Sequence, residues 1–136
     1  MINLRPPCFL DLRQVAENHT VYEYTIFFDD EQARRLLYPV LKNVSYTRWH
    51  PYFLDIVPEG LSKSYGAARI LERIGVTRGE CMAFGDGGND IPIIEYAGIG
   101  VAMGNATDDV KAAADYVTDT VDEDGVVTAL QRFGLL

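Results

Sequence analysis

Three short apolar segments in the second half of the chain alternate with segments of helical character, and this alternation is the strongest constraint on the fold. The segments predicted as strands are residues 81–84, 99–103 and 116–118. The segments predicted as helices between and after them are residues 91–97, 107–114 and 124–133. Apolar strands separated by helices are typical of a parallel sheet that is covered on both faces. The sequence therefore predicts an α/β fold with a parallel sheet.

A further helix is predicted immediately before this sheet. Ser62 is placed to cap its first turn, and Gly75 follows its last residue, Ile74. Its apolar side chains recur on one face, which we expect to be buried: Ala67, Ala68, Leu71 and Ile74.

The first half of the chain has a different pattern, which reads strand, helix, strand, strand. Residues 21–28 are rich in β-branched and aromatic side chains, and Asp29 with Gln32 forms a capping-box pattern before a helix that runs to Leu41. Residues 44–48 and 53–56 are short strand-like runs joined as a hairpin. Because Pro58-Glu59-Gly60 interrupts this pattern, we place a domain boundary there, between residues 1–58 and 59–136.

Charge and composition narrow the classes of partner. The formal net charge of −8 argues against a nucleic-acid or anionic-membrane surface, because such partners require clustered Lys and Arg side chains. The sequence has no apolar run of membrane-spanning length and no signal-peptide pattern, so we expect a cytoplasmic protein. Cys8 and Cys81 fit no metal or redox spacing and are expected to be reduced, mostly buried thiols.

One loop carries the residues suited to chemistry, and its sequence is GDGGND, from Gly85 to Asp90. It follows the first strand of the predicted parallel sheet, at the edge where such sheets bind ligands. Asp86 and Asp90 suit a partly hydrated Mg²⁺, and the glycines permit positive φ angles and a close approach to a bound group. The alternative interpretation is a tight turn built from ordinary turn residues.

A longer run around this loop resembles a known family. Residues 85–104, GDGGNDIPIIEYAGIGVAMG, are followed by Asn105-Ala106, by KAAADYV at 111–117 and by EDGV at 123–126. Together they resemble the C-terminal third of phosphatases of the haloacid dehalogenase (HAD) superfamily, in particular the Cof-type branch with a large α+β cap. The resemblance implies a HAD-like Rossmannoid sheet in residues 59–136 and a partial α+β cap in residues 1–58.

The resemblance also implies roles for individual residues. Asp86 would bind Mg²⁺ directly, and Asp90 would support the metal site through water or by fixing the loop. Asn89 would hydrogen-bond near the phosphate, and Lys63 would pair with both the phosphoryl group and the nucleophilic carboxylate. Lys63 and Asp86 would thus be catalytic. The alternative for Lys63 is a solvated side chain in the first turn of a helix.

The family's reaction also requires an Asp-x-Asp motif after a core strand, which supplies the nucleophile and the acid/base. Three candidate stretches do not fit: the pair at Asp122 and Asp124 follows a polar run, Asp11 is followed two residues later by Arg13, and Asp29-Asp30 has the wrong spacing. The sequence therefore looks like the C-terminal part of a phosphatase, and we expect this chain alone to be inactive. We also expect it to self-associate or to need a complementing N-terminal half.

The function implied by the resemblance is Mg²⁺-dependent hydrolysis of small phosphate monoesters, such as sugar phosphates, through an aspartyl-phosphate. Two alternatives remain open: an inactive metal-binding or interaction module, and a flavodoxin-like or receiver-type domain. A small phosphorylated metabolite is the expected partner, and the cap is expected to contact it. Its candidate substrate-facing residues are Trp49, His50 and Tyr52, although an exposed loop histidine is an alternative for His50.

Overall fold

The computed structural model describes residues 11–136, so Cys8 lies outside the described residues. The helices are α1 (Leu12–Asn18), α2 (Asp30–Leu36), α3 (Lys63–Ile74), α4 (Ile91–Tyr96), α5 (Asp108–Ala113) and α6 (Gly125–Arg132). The strands are β1 (Tyr24–Ile26), β2 (Val44–His50), β3 (Phe53–Pro58), β4 (Met82–Gly85), β5 (Ile99–Ala102) and β6 (Tyr116–Val117). Short 3₁₀ turns occur at Arg78–Glu80, Gly88–Asp90 and Val121–Glu123.

The C-terminal part forms a parallel sheet of three strands in the order β4-β5-β6. Helices α4 and α5 cover one side of β5, where Ile94, Ala102 and Val110 are almost completely buried together. The three strands and the α/β fold class predicted from the sequence are therefore confirmed.

The N-terminal part forms an antiparallel sheet in the order β1-β3-β2. Ala33 of α2 packs with Leu54 and Ile56 of β3 in a separate small core. The predicted order of strand, helix, strand, strand is confirmed, but β1 has three residues where residues 21–28 were expected. β2 is longer than predicted and includes Trp49 and His50, because His50 pairs with Phe53 of β3. Trp49 Nε1 also donates a 2.7 Å hydrogen bond to Asp55 of that strand.

The predicted start of α2 and both predicted ends of α3 rest on local hydrogen bonds that the structure contains, whereas α2 ends at Leu36 and not at Leu41 as predicted. Asp29 accepts a 2.8 Å hydrogen bond from the Gln32 amide, and the Gln32 side chain accepts one of 3.2 Å from the Asp29 amide, which completes the capping box of α2. Ser62 Oγ accepts a 3.1 Å hydrogen bond from the Tyr65 amide at the start of α3. Gly75 ends that helix with a φ of 71°, a left-handed conformation that favours glycine.

The apolar face of α3 is less buried than the sequence predicted. Ala67, Ala68 and Leu71 are only partly buried, and Ile74 is 62% exposed. The reason is that β4 is an edge strand of the described sheet, so no further strand lies beneath this part of α3. An apolar groove of about 190 Å³ lies between α3, β4 and α4. Cys81 in this groove is a partly buried free thiol, and its Sγ donates to the Arg78 carbonyl at 3.1 Å.

Two further expectations concern the whole chain. Within the described residues, no helix combines the length and the apolar character needed to cross a membrane. The domain boundary between residues 1–58 and 59–136 stays a prediction. In the sequence, the strands of the antiparallel sheet precede this boundary and those of the parallel sheet follow it.

Glycine at position 100 is required by packing, and this can be tested against a glycine that is not. A Cβ at Gly100 in β5 would lie 2.3 Å from the Ile94 carbonyl oxygen, whereas a Cβ at Gly66 in α3 would have no heavy atom within 4 Å. We expect Gly100→Ala to lower the free energy of unfolding by about 1–3 kcal/mol. Gly66→Ala should raise it by about 0.5–1 kcal/mol, because alanine favours helix.

Urea denaturation of the two variants and the wild type measures both changes. Equal effects of the two substitutions would contradict the packing of α4 against β5.

Candidate functional site

The loop from Gly85 to Asp90 leaves the carboxyl end of β4 and turns through Gly88–Asp90 into α4. The glycines of this loop do not use the positive φ angles that glycine permits, because the described glycines with positive φ are Gly60, Gly75 and Gly134. Close approach is the actual requirement. A Cβ at Gly85 would lie 2.3 Å from the Asp90 Cβ, so the loop can fold back on the Asp90 side chain only if residue 85 is glycine.

Asp90 fixes the conformation of this loop. Its side chain is buried, and Oδ2 accepts hydrogen bonds from the amides of Asp86 at 3.0 Å and Gly87 at 3.1 Å. Its other oxygen, Oδ1, accepts from the ammonium of Lys63. Burial by itself would raise the pKa of Asp90, but the hydrogen bond from Lys63 and those from the Gly87 and Asp86 amides together hold that pKa below its usual value. Asp90 is therefore ionised, and both of its oxygens have partners.

Lys63 is the first residue of α3, so the helix start positions its ammonium beside the loop. The ion pair with Asp90 joins α3 to the loop across 27 positions of sequence. About half of the Lys63 side chain remains accessible, with a relative exposure of 50%. Lys63 thus lies at the site as predicted, where it contacts Asp90, while part of its side chain faces the cleft.

Asp86 projects from the end of β4 and is exposed. Its Oδ2 accepts a 2.9 Å hydrogen bond from Asn105 Nδ2, and no hydrogen bond from another described residue reaches its Oδ1. Asn89, which follows in the 3₁₀ turn, is partly buried and lines the same cavity. Asp86 therefore presents one oxygen that a ligand could use.

The ligands at this site suit Mg²⁺, which needs few protein ligands, better than a metal that is coordinated by side chains alone. Within residues 11–136 no group of three or more His, Cys, Asp and Glu side chains is placed to share an ion. Mg²⁺ usually keeps several waters and takes only one or two carboxylates together with phosphate oxygens. Asp86 would hold it directly, and Asp90, whose oxygens are occupied, would act by fixing the loop.

A cleft opens between this loop and β2 of the antiparallel sheet. One cavity of about 510 Å³ lies over the loop, and a neighbouring one of about 650 Å³ extends towards β3. Arg48, Lys63, Asn89 and Asp109 line both. Hydrogen bonds from the Thr107 side chain and the Val110 amide lower the pKa of Asp109, so its carboxylate is an anionic part of the wall.

The structure brings only one of the three predicted substrate residues to this cleft. Trp49 lines the cavity over the loop. His50 stacks on Phe53 with ring centroids 4.7 Å apart, and neither His50 nor Tyr52 lines either cavity. Both are exposed at the tip of the hairpin, and a role for them in binding substrate stays a prediction.

Sequence reasoning missed three residues around the site: Arg48, Asn105 and Asp109. Arg48 Nη1 donates to the carbonyls of Phe28 at 2.9 Å and Pro51 at 3.0 Å, while its buried Nη2 has no partner among the described residues. The only signals in the sequence were the position of Arg48 next to Trp49 and that of Asn105 directly after the run 85–104.

The acidic residues rejected as nucleophiles lie outside the cleft, and two of them cap helices. Asp11 caps α1 by accepting from the Arg13 amide at 2.9 Å, and Asp29 caps α2. Asp122 lies in a 3₁₀ turn, and Asp124 follows it with a φ of 54°.

Replacement of Asp90 by asparagine should destabilise the fold. The asparagine oxygen can accept from the two loop amides, but its NH₂ group would face the Lys63 ammonium, which needs an acceptor. We expect Asp90→Asn to lower the free energy of unfolding by about 1–3 kcal/mol at neutral pH.

The difference between wild type and Asp90→Asn should depend on pH. Because the pKa of Asp90 is lowered in the folded state, its stabilising contribution is complete above the usual aspartate pKa of about 3.9 and is lost as the pH falls through the lower folded value. Denaturation series from pH 7 to pH 2.5 measure this. A difference that stays constant down to the lowest pH would contradict the ion pair.

Comparison with known proteins places the chain in a family. The family model for haloacid dehalogenase-like hydrolases matches residues 5–130. A 5-amino-6-(5-phospho-D-ribitylamino)uracil phosphatase of Bacillus subtilis is 40% identical over 128 residues, which cover 90% of this chain and 51% of that protein.

Two solved structures are similar over nearly the whole chain. A HAD-superfamily phosphatase from Bacteroides thetaiotaomicron is 43% identical with a TM-score of 0.86, over 96% of this chain and 48% of that one. A HAD subclass IIB sugar phosphatase is 43% identical with a TM-score of 0.81, over 90% and 47% of the two chains.

The chain thus spans about half the length of these relatives. This similarity confirms the HAD-like α/β fold and the resemblance to the Cof-type branch, and it confirms that the chain corresponds to the C-terminal part of such proteins. The alternative of a flavodoxin-like or receiver-type domain has no support from it. The chain belongs to the haloacid dehalogenase-like hydrolase family.

Proposed function

We propose that these residues form the metal and lysine part of a Mg²⁺-dependent phosphatase that hydrolyses small phosphate monoesters such as sugar phosphates. The observation that carries the proposal is the loop itself, where an exposed Asp86 oxygen and a partly exposed Lys63 ammonium face one cleft. The phosphatase and sugar-phosphatase names of its relatives support this reaction class.

The proposal assigns a role to each residue of the site. Asp86 holds Mg²⁺ through its unbonded oxygen, and Asp90 keeps the loop and Lys63 in place. The metal would neutralise charge on the transferring phosphoryl group and orient it. Lys63 supplies a second positive charge to the phosphoryl oxygens, and the Asn89 amide hydrogen-bonds beside it.

We propose that the nucleophile comes from a complementing N-terminal half. Within residues 11–136 the Asp-x-Asp pattern occurs at Asp122 and Asp124, which lie outside the cleft, and the relatives are about twice as long. In the proposed reaction the nucleophilic carboxylate bonds to phosphorus, the ester oxygen departs with a proton from the second aspartate, and water then hydrolyses the aspartyl-phosphate.

The open edge of β4 is the proposed place for the complementing half. The Cys81 carbonyl accepts a 3.2 Å hydrogen bond from the Ile99 amide, and the Gly85 carbonyl accepts one of 2.9 Å from the amide of Met103, directly after β5. Because peptide groups alternate in direction along a parallel strand, those of Met82 and Phe84 face away from β5. Met82 lies along the apolar groove beside α3. An additional strand would satisfy these peptide groups and cover Ile70, which is 62% exposed. Self-association through the same edge is the alternative arrangement.

We also propose, as the sequence predicted, that the protein is cytoplasmic and binds neither nucleic acid nor a membrane.

The proposal predicts the activity of two samples. This chain alone should not hydrolyse p-nitrophenyl phosphate above background, because among the described residues no Asp-x-Asp carboxylate lies in the cleft to form the covalent intermediate. Co-expression with the N-terminal half of a Cof-type relative should give Mg²⁺-dependent turnover. In that complex, Lys63→Met should lower kcat by about 10²–10³-fold, as the loss of one electrostatic stabiliser does elsewhere.

Asp122→Asn is the control, because Asp122 lies in a 3₁₀ turn outside the cleft lining, and it should leave turnover unchanged. Mg²⁺-dependent turnover by this chain alone, removed by Asp86→Ala, would show that the nucleophile is internal and the account of the two halves is wrong. A complex that forms but never turns over would favour the alternative of a metal-binding or interaction module.

A further inference from the structure

The side chain of Asn105 uses both ends of its amide group. Its Nδ2 donates a 2.9 Å hydrogen bond to Asp86 Oδ2, and its Oδ1 accepts a 3.1 Å hydrogen bond from the Val121 amide. The two contacts join segments 19 and 16 positions away in sequence. Since Val121 N–H can only donate and the Asp86 carboxylate can only accept, the two partners also fix which end of the amide faces which.

The Val121 amide is itself held by a well-connected segment. The Gly104 amide donates to the Asp119 carbonyl at 3.0 Å, and a Cβ at Gly104 would lie 2.8 Å from that carbonyl carbon. Thr118 Oγ1, which is buried, donates to the Gly125 carbonyl at 2.6 Å. The segment between β6 and α6 therefore fixes the orientation of the Asn105 side chain. Through its hydrogen bond, Asn105 in turn fixes the orientation of the Asp86 carboxylate.

We propose that Asn105 is a positioning residue that makes Asp86 a one-oxygen ligand and thereby sets a preference for Mg²⁺ over Ca²⁺. The inference rests on the proposed role of Asp86 as the metal ligand. Asn105 occupies Oδ2, and Oδ1 is the oxygen that no described residue engages. A carboxylate held in this way cannot turn to offer both oxygens to one ion without losing the Asn105 hydrogen bond.

Mg²⁺ and Ca²⁺ differ in how they bind carboxylates, so a carboxylate with one free oxygen suits one ion better than the other. Mg²⁺ requires near-octahedral coordination, retains waters and is usually bound by single carboxylate oxygens. Ca²⁺ takes six to eight oxygens and readily accepts both oxygens of one carboxylate. Asn105 therefore disfavours the coordination that Ca²⁺ would gain from Asp86, at little cost to Mg²⁺.

The test compares the dissociation constants of Mg²⁺ and Ca²⁺ for this chain. Both are measured in NMR titrations that monitor the backbone amide signals of the 85–90 loop. Asn105→Ala should reduce the preference for Mg²⁺ over Ca²⁺ by about tenfold, the scale on which residues behind a metal ligand act. Asn105→Asp preserves the acceptor for Val121 while it removes the donor to Asp86, so it should shift the preference in the same direction even if Asn105→Ala is poorly folded.

Thr120→Val is the matched control. It removes the 2.8 Å hydrogen bond from Thr120 to Glu123 in the same segment but leaves both Asn105 contacts, so the ion preference should stay that of the wild type. An unchanged preference in both Asn105 variants, with binding still lost in Asp86→Asn, would overturn the role of Asn105 and leave the metal proposal intact. If Asp86→Asn binds both ions as the wild type does, or the wild type binds neither, the metal proposal and this inference both fail.

Discussion

The site depends on one buried carboxylate and on the groups that satisfy it. Asp90 accepts from two loop amides and from the Lys63 ammonium, and this set of bonds closes the 85–90 loop and joins it to α3. A buried carboxylate is stable only when such partners compensate its lost hydration. The same contacts that make its burial possible leave Asp86 facing outwards, because the Asp86 amide is turned in towards Asp90.

The sequence predicted those parts of the structure that local rules determine. Capping of α2 by Asp29, the start of α3 at Ser62 and its end at Gly75 all follow from residues within one helical turn. The position of the GDGGND loop at the end of β4 followed from the alternation of apolar strands and helices. The roles of Lys63, Asp86, Asn89 and Asp90 came from the resemblance to a family, and they stay predictions.

The sequence could not predict what depends on contacts between distant segments. The bond between Asn105 and Asp86 joins residues that no periodic pattern connects. The placement of Arg48 and Trp49 over the loop depends on how β2 lies relative to the 3₁₀ turn at Gly88–Asp90. His50 instead stacks on Phe53. Ile74 was expected to be buried from its helical spacing, yet spacing cannot show whether a sheet extends beneath the helix.

The central claim is that Asp86 binds the metal while Asp90 and Lys63 hold the loop around it. A crystal structure of the complex between this chain and a complementing N-terminal half, grown with Mg²⁺ and inorganic phosphate, tests it most directly. The account predicts Mg²⁺ at about 2.0–2.1 Å from a single Asp86 oxygen, with Lys63 in contact with phosphate and Asp90 still bonded to the loop amides. Mg²⁺ bound directly by Asp90, with Asp86 turned away from it, would contradict the account.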